Sequence, residues 1–389
     1  MSKSEVMEST YFRSLMEGTG CTSYKFSDTP VEMSQQKFIA LNRTVKAMLD
    51  VIDTSEYFDY CKERNYWSLP TVPMKLTDFH GCADFLLTSD EPKLIEMNIN
   101  IPGRVALMET MGRSAKQYLD ASSGIWTNLN FNEQVKLEIQ SALAESKKIA
   151  IVVSHFEASI EHWPHYQYFS DQLNQEGLDT TVMHANEITA DENGCFWNGQ
   201  FYDGIVNLVI PFVWENNQHE FTELTKLLRD HPERIFPSPT GGMLGTKDLL
   251  SYLSSKRDND KEGVWKNNVL RAKPLSSFES IEELLAYLTP EQMVLKPFKD
   301  YGGSGVYVQP ELELVEETFS KKRNEYMVQE FTDSLPKQIH TDTDEMVTCH
   351  STICRVFFAS KNPFGYKGSY VTGDARCGLH AAPVKITRA

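Results

Sequence analysis

The sequence predicts a mixed fold, with an α/β unit in the middle of the chain and an α+β unit after it. The first observation is KIAIVV at residues 148–153, a continuous apolar run typical of a buried parallel strand. The second is the rhythm that follows: a helix pattern over residues 163–176 ends at Gly177, and strand patterns follow at 178–183 and 205–209. This alternation of strand and helix predicts a small Rossmann-like domain.

The segments on either side complete the predicted organisation. Before the middle unit, the sequence predicts an amphipathic helix over residues 34–55, hairpin strands at 82–87 and 93–97, and helices over 104–120 and 131–146. After it, the sequence predicts helices near 246–256 and 279–288 and strands near 293–297, 305–308, 326–331 and 352–359. We therefore expect three domains, at residues 1–145, 146–235 and 236–389.

The composition is that of an ordinary globular protein and limits the classes of binding partner that we expect. The chain has 389 residues, of which 41% are hydrophobic and 24% charged, and its formal net charge is −16. An acidic chain is a poor general binder of nucleic acid or anionic lipid, so we expect neither partner. The longest apolar run, at residues 204–214, is shorter than the roughly 20 residues that a spanning helix needs.

The cysteines and the first residues favour a cytoplasmic location. The seven cysteines are scattered and form no CxxC pair, which disfavours structural zinc and a disulfide framework. The opening residues, MSKSEVMESTYF, lack the apolar core of a signal peptide.

The segment richest in candidate chemistry is VLKPFKDYGGSGVYV, at residues 294–308. A strand delivers Lys296 and is followed by a glycine-rich loop. The loop residues are Gly302, Gly303, Ser304 and Gly305. Glycines let backbone N–H groups approach a phosphate closely, and a lysine supplies a charge beside it. The loop is not a Walker A motif, because no GK[ST] opens a helix after it. The alternative is a glycine hairpin with a surface lysine.

Two further segments place this loop in a recognisable order. Lys247 stands in GTKD just before a predicted helix, and the apolar strand YMVQEF ends in Gln329, Glu330 and Phe331. The order of lysine, KP strand with glycine loop, and apolar strand ending in a carboxylate resembles the ATP-grasp superfamily. The resemblance implies ATP as the nucleotide, with Lys247 and Lys296 on its phosphates and the glycine loop over them. It also implies that the strand ending in Gln329, Glu330 and Phe331 forms the hinge beside adenine and ribose.

The candidate metal ligands lie far upstream, in KLIEMNINIPG. Ordinary ATP-grasp enzymes carry a Glu-x-Asn after the hinge; here that motif is Glu96 and Asn98, and Asp84 precedes it. This arrangement resembles the circularly permuted branch, represented by glutathionylspermidine synthase and eukaryotic glutathione synthetase. The resemblance implies Mg²⁺ at Asp84, Glu96 and Asn98, and oxygen ligands suit that ion. Glu96 and Asn98 are two apart, so they share one face of a strand. The alternative is a set of polar side chains on a hairpin surface.

Three more residues enter through the same resemblance. The segment YDGIVNLVIPFVWE, residues 202–215, resembles a family strand with a Trp-Glu ending, which makes Glu215 a candidate for binding substrate. Arg355, on a strand after the hinge, and Arg376, in GDARCG, are candidates to stabilise an acyl phosphate. The arginine that usually stands two residues before the metal aspartate is replaced by Cys82.

These observations predict a circularly permuted ATP-grasp fold with a Rossmann-like domain. The resemblance implies an ADP-forming carbon–nitrogen ligase that joins a small carboxylate, such as an amino acid or peptide, to an amine through an acyl phosphate. The alternatives are a small-molecule kinase and a non-catalytic nucleotide-binding protein. The sequence leaves the oligomeric state open, a homodimer included. The interpretation requires the hairpin that carries Glu96 to fold back onto the segment that carries Lys296.

Overall fold

The structure is a computed structural model that describes residues 10–19, 25–64, 67–72, 80–99, 107–119, 124–156, 163–299, 303–334, 336–372 and 379–387. Two of the predicted site residues, Gly302 and Arg376, lie outside these ranges. The helices are α1 (Thr10–Thr19), α2 (Gln35–Ile52), α3 (Ser55–Glu63), α4 (Leu107–Tyr118), α5 (Phe131–Ala142), α6 (Trp163–Gln175), α7 (Pro211–Asn216), α8 (Thr222–Asp230), α9 (Thr240–Leu244), α10 (Asp248–Ser255), α11 (Val264–Asn268), α12 (Ile281–Tyr287) and α13 (Leu312–Lys322). None of the helices in the described ranges is both long and apolar enough to cross a bilayer.

The strands are distributed over several sheets. They are β1 (Val31–Ser34), β2 (His80–Leu86), β3 (Lys93–Asn98), β4 (Ile125–Trp126), β5 (Ile149–Val153), β6 (Thr180–His184), β7 (Thr189–Asp191), β8 (Gly194–Trp197), β9 (Gln200–Tyr202), β10 (Gly204–Asn207), β11 (Ile235–Phe236), β12 (Ala272–Pro274), β13 (Met293–Pro297), β14 (Tyr307–Val308), β15 (Tyr326–Glu330), β16 (Lys337–His340), β17 (Met346–Cys349), β18 (Ser351–Ala359), β19 (Asn362–Val371), β20 (Leu379–Ala382) and β21 (Val384–Thr387).

A five-stranded antiparallel sheet joins the two ends of the chain. Its order is β20-β19-β18-β2-β3, so the predicted hairpin β2–β3 pairs through β2 with a strand from the C-terminal quarter. Along the first part of β18 buried side chains alternate with half-buried ones. Two of the buried ones, Cys354 and Val356, pack in the same core as Leu41 and Val45 of α2. Helix α2 begins at a proper cap, because the Ser34 side chain accepts a hydrogen bond from a first-turn N–H.

The middle of the chain forms the parallel sheet that the sequence predicts. Its order is β11-β10-β5-β6, and every neighbouring pair is parallel. Strand β5 is buried along its whole length, as expected for a strand covered on both faces. Helix α6 connects β5 to β6, and Gly177 after it has a φ of +94°, which suits a glycine just past a helix.

A smaller antiparallel sheet carries the segment around Lys296. Its order is β12-β15-β13-β14, and β13 covers the predicted residues 293–297. The predicted strand at 305–308 is too long: β14 is only Tyr307–Val308, because Gly305 has a φ of +65° and so cannot be extended.

One predicted element has the wrong type. The sequence suggested a strand that continues to the Trp-Glu pair, but β10 ends at Asn207 and Glu215 lies on helix α7. Pro211 stands at the first position of this helix, where its fixed φ starts a helical turn and its missing N–H costs nothing. The mixed α/β character of the chain is confirmed, while the three domain boundaries stay a prediction.

Candidate functional site

Charged side chains form a row across the five-stranded sheet. Register places Glu96 opposite Asp84, Asp84 opposite Arg355, and Arg355 opposite Lys367, on four neighbouring strands. Directly paired residues project from the same face of a sheet, so two acidic groups and then two basic groups follow one another along one line. A bulge in β3 next to Asp84 sets this register. Asp84 and Glu96 therefore project from the same face of the sheet.

Asp84 is held by Arg355 in a bidentate ion pair. Nε of Arg355 donates to Oδ1 of Asp84 at 2.7 Å, and Nη2 donates to Oδ2 at 2.6 Å. The Asp84 residue is 7% exposed, so little water competes for its oxygens. Burial alone would lower the pKa of Arg355, but the Asp84 carboxylate outweighs it and raises that pKa above its usual value. Asp84 was predicted as a metal ligand and Arg355 as a substrate-facing group; in this structure they bind each other.

Lys247 reaches the hairpin from the start of α10. Its Nζ lies 3.4 Å from Oε1 of Glu96, and the lysine is buried. Two glycines of α9 and its C-terminal end make this approach possible. A Cβ at Gly241 would lie 2.3 Å from the carbonyl oxygen of Ile99, and one at Gly245 would lie 2.9 Å from its nitrogen. The backbone before Lys247 can therefore pack directly against the end of β3.

Lys296 meets the same hairpin from the small sheet. Its Nζ donates a hydrogen bond of 2.8 Å to the carbonyl oxygen of Ile95, the residue before Glu96. The pKa of Lys296 falls from 10.5 to about 8: burial is the largest cause and Lys247 adds to it, while Glu96 and Asp84 oppose the change. The hairpin and the two lysines thus form one charged cluster, although about two hundred positions separate Ile95 from Lys296 in the chain.

The glycine-rich loop is described from Gly303 onward. Gly303 and Gly305 have φ values of +77° and +65°, a backbone that favours glycine, and Ser304 lies between them. A Cβ at Gly305 would lie 2.8 Å from the Tyr326 hydroxyl. The loop therefore needs glycine for its own turn and for its contact with β15.

The predicted hinge contains one unpartnered donor. Gln329 is buried, and no described residue accepts a hydrogen bond from its Nε2. Register pairs Lys296 with Met327, two residues before Gln329, so Gln329 and Lys296 lie on the same face of the small sheet. Glu330 instead binds Arg271, with 3.2 Å between Oε1 and Nη2. The backbone N–H of Phe331 donates to the carbonyl oxygen of Gln292 at 2.7 Å.

Glu215 lies at a junction of three segments. Its Oε1 accepts hydrogen bonds from the backbone N–H of Ser68 at 2.8 Å and from Nζ of Lys299 at 2.9 Å. The Glu215 side chain is 7% exposed and Lys299 is the last described residue before the glycine loop. The carboxylate predicted to face substrate is thus an ion-pair partner here, linking α7 to the loop.

The residues fit a divalent cation and a polyphosphate in their chemistry. Among the described residues, no group of three or more His, Cys, Asp or Glu side chains is arranged to hold a metal ion. Glu96 and Asn98 still offer two oxygen ligands on one face of β3, which is the number of protein ligands that Mg²⁺ often takes when phosphates supply the rest. Lys247 and Lys296 supply the cations that a polyphosphate needs. The unpartnered Nε2 of Gln329 matches a ring acceptor of a purine.

Sequence reasoning missed two charged residues of this region. Lys299 follows Lys296 by three residues in KPFK. A second lysine just before a glycine-rich loop is a pattern from which the sequence could have indicated this residue. Lys367 gave none, because its place beside Arg355 depends on the pairing of β18 with β19.

Comparison with solved structures shows which known fold this chain shares. No protein-family model matches the chain, and no curated protein matches it. The chain is similar to the solved structure of a glutathione synthetase-like effector from Globodera pallida in its apo form. The TM-score is 0.63 at 11% sequence identity, and the match covers 100% of this chain and 97% of that one. This chain shares that fold.

A second solved structure is more distant. It belongs to a protein assigned as a gamma-glutamylcysteine synthetase from Methylobacillus flagellatus, with a TM-score of 0.48 and 9% identity over 89% of this chain and 87% of that one. This likeness is too weak to carry an argument. The ATP-grasp assignment and the circular permutation stay predictions.

Proposed function

We propose that the chain is an ATP-dependent carboxylate–amine ligase with a circularly permuted ATP-grasp fold. One observation supports this most strongly: Glu96 of the hairpin lies 3.4 Å from Lys247, and the Ile95 carbonyl beside it binds Lys296. An oxygen-rich strand and a pair of buried lysines meet in one charged cluster, as a metal-bound polyphosphate requires. The name of the Globodera pallida neighbour, a glutathione synthetase-like effector, agrees with a ligase.

The proposed roles follow from charge and position. Lys247 and Lys296 hold phosphate oxygens, and Glu96 and Asn98 hold Mg²⁺. Bound Mg-ATP supplies the phosphoryl group and offsets its charge. Gly303, Ser304 and Gly305 present backbone N–H groups to the phosphates, and the side chain of Gln329 binds the base. Asp84 orients Arg355 and, when Mg²⁺ is bound, shares its carboxylate with the ion.

The proposed reaction has two steps. A substrate carboxylate oxygen bonds to the γ-phosphorus of ATP while the bond from that phosphorus to the β–γ bridging oxygen breaks, so ADP leaves. The amine then bonds to the acyl carbon, phosphate leaves, and the amine loses a proton. Arg355 and Arg376 are proposed to stabilise negative charge on the acyl phosphate. Glu215 is proposed to bind the substrate amine once Lys299 moves away.

Hydroxylamine trapping tests the ligase directly. Protein is incubated with Mg-ATP, a panel of amino acids and small peptides, and hydroxylamine in place of the amine. A carboxylate-dependent hydroxamate together with ADP release is expected. ADP release without any hydroxamate would instead favour the kinase, in which a stable phosphate ester is the product.

The second candidate is a non-catalytic nucleotide-binding protein. It is favoured by the two ion pairs Asp84–Arg355 and Glu215–Lys299, because both engage carboxylates to which the ligase assigns other partners. This candidate predicts nucleotide binding with no ADP release for any carboxylate in the panel. It also predicts that Glu96→Ala leaves nucleotide affinity nearly unchanged.

A further inference from the structure

A cavity lies outside the proposed ATP site, against the outer edge of β12. Its volume is about 780 Å³, within the range of small-molecule sites. The lining includes residues of α10 and the turn after it, of β12, and of α12. We call it the β12 groove and define it by six of its lining residues: Tyr252, Arg257, Lys266, Arg271, Lys273 and Tyr287.

Positive charge is concentrated in the β12 groove, although the chain as a whole carries a net charge of −16. Arg271 is paired with Glu330; Asp258 and Asp260 also line the groove, and the carboxylate of Asp260 accepts two backbone N–H groups of α11. Within the described part of the chain, no carboxylate lies within ion-pair distance of Arg257, Lys266 or Lys273. The lining has five basic side chains and two acidic ones, so the groove is cationic on balance.

Two of the cations share one aromatic ring. Arg271 and Lys273 both lie over the ring of Tyr287, at 5.4 Å and 4.9 Å from its centroid. The ring face stabilises both cations and holds them side by side, so that one anion can pair with both.

We propose that the β12 groove binds a small, multiply charged anion of the phosphate class, such as an organic phosphate. Guanidinium groups offer the forked donors that match phosphate oxygens, and lysines add point charges beside them. The site is separate from the proposed ATP site, because Lys273 pairs with Val328 and Val328 pairs with Leu295, so Lys273 projects from the face of the small sheet opposite to that of Lys296.

The test measures pyrophosphate binding by calorimetry in the Lys296→Ala background, which disables the proposed ATP site. Saturable binding to the Lys296→Ala protein is expected. Adding Arg257→Gln and Lys273→Gln should weaken it at least about tenfold, the scale of losing two charge-assisted contacts. The matched control, Lys321→Gln with Lys322→Gln on the exposed end of α13, removes the same charge and should change affinity less than twofold.

The outcomes separate this proposal from the ligase. Equal affinity in the groove variant and its parent overturns the site, and so does equal weakening in the control. Citrate binding more tightly than pyrophosphate overturns the phosphate class. Because the groove variants could fold poorly, crystals of the unmodified protein are also soaked with tungstate. A heavy-atom peak between Arg257 and Lys273 is expected, and its absence contradicts the proposal. None of these readouts depends on ATP turnover.

Discussion

Lys296 is the residue whose environment says most about function. An ammonium group buried beside a second lysine loses solvation, and its pKa falls to about 8. Such a group is kept only where an anion stabilises it, and Glu96 and Asp84 supply part of that charge. In the proposed function, the phosphates of ATP supply the rest.

The pKa of Lys296 makes ATP binding depend on pH. Above pH 8 the free protein has lost the Lys296 proton, and ATP must bind with uptake of one. Affinity should therefore fall by up to about tenfold for each pH unit above 8. Calorimetry in two buffers of different ionisation enthalpy measures the uptake at pH 8.5. Lys296→Arg, which stays charged, should show none; uptake of the same size in that variant would contradict the assignment.

Glu96 and Lys296 should both be needed for turnover. We expect Glu96→Ala and Lys296→Ala each to lower ADP release at least about 100-fold, the scale of losing one preorganised electrostatic contact. The matched control is Glu91→Ala, an exposed carboxylate in the turn of the same hairpin. Activity close to wild type in either site variant would reject the site.

His80 should make the free energy of unfolding depend on pH in the acidic range. It is fully buried, both ring nitrogens lack a partner among the described residues, and burial lowers its pKa from 6.5 to about 4. Between these values the unfolded chain binds a proton that the folded chain does not, so stability is full above pH 6.5 and falls towards pH 4. The loss attributable to His80 is about 3 kcal/mol.

Urea unfolding at pH 7, 5.5 and 4.5 measures this loss. Between pH 7 and pH 4.5, the free energy of unfolding should fall less in His80→Leu than in the unmodified protein. His219→Leu, which changes an exposed histidine, should leave the decline as it was. An unchanged slope in His80→Leu would show that another group carries the acid sensitivity.

At the scale of elements, one ion pair ties the parallel-sheet unit to the glycine loop. Glu215 on α7 binds Lys299 after β13 and Ser68 in the segment 67–72. Val213 and Trp214 of α7 pack in one core with Leu69, which holds these two segments together. The buried carboxylate adds Lys299 to them, because it is costly to leave a buried charge without a partner.

A double-mutant cycle measures the coupling free energy between Glu215 and Lys299. Lys299→Met should destabilise the protein by about 1–2 kcal/mol, below the value for a deeply buried pair because Lys299 is 35% exposed. Adding Glu215→Gln should recover part of that loss, since no unpaired charge then remains. Urea unfolding gives the free energies, and strict additivity of the two changes would refute the coupling.

At the scale of the whole molecule, the five-stranded sheet makes the two ends of the chain one unit. Strands β2 and β3 come from residues 80–98, whereas β18, β19 and β20 come from residues 351–382. Strand β2 is buried throughout and pairs along its full length with β18. Neither segment can therefore keep its buried face if the other leaves.

Hydrogen exchange tests this unity. The amides of β2 and β18 should exchange with the same free energy of opening, and that energy should equal the free energy of global unfolding. The peripheral hairpins β7, β8 and β9 serve as the comparison and should open at lower cost. Protection of β18 that persists after β2 has exchanged would show two independent units.

The sequence by itself determined the local elements and the types of side chain available for chemistry. Apolar runs and alternation predicted β5, β13 and the β2–β3 hairpin. Burial on one face of a strand requires apolar residues at alternate positions, and burial on both faces requires a continuous apolar run of five or six residues. Glycine positions likewise predicted the loop before β14, since only its backbone freedom allows the observed turn.

Only the tertiary structure decided which charged groups meet. Asp84 and Arg355 are 271 positions apart, so no local pattern records that they bind each other. The same holds for Glu215 and Lys299, and for the cations of the β12 groove. Ion pairs form wherever folding brings opposite charges together, and that depends on strand pairing across the whole chain rather than on the residues next to them.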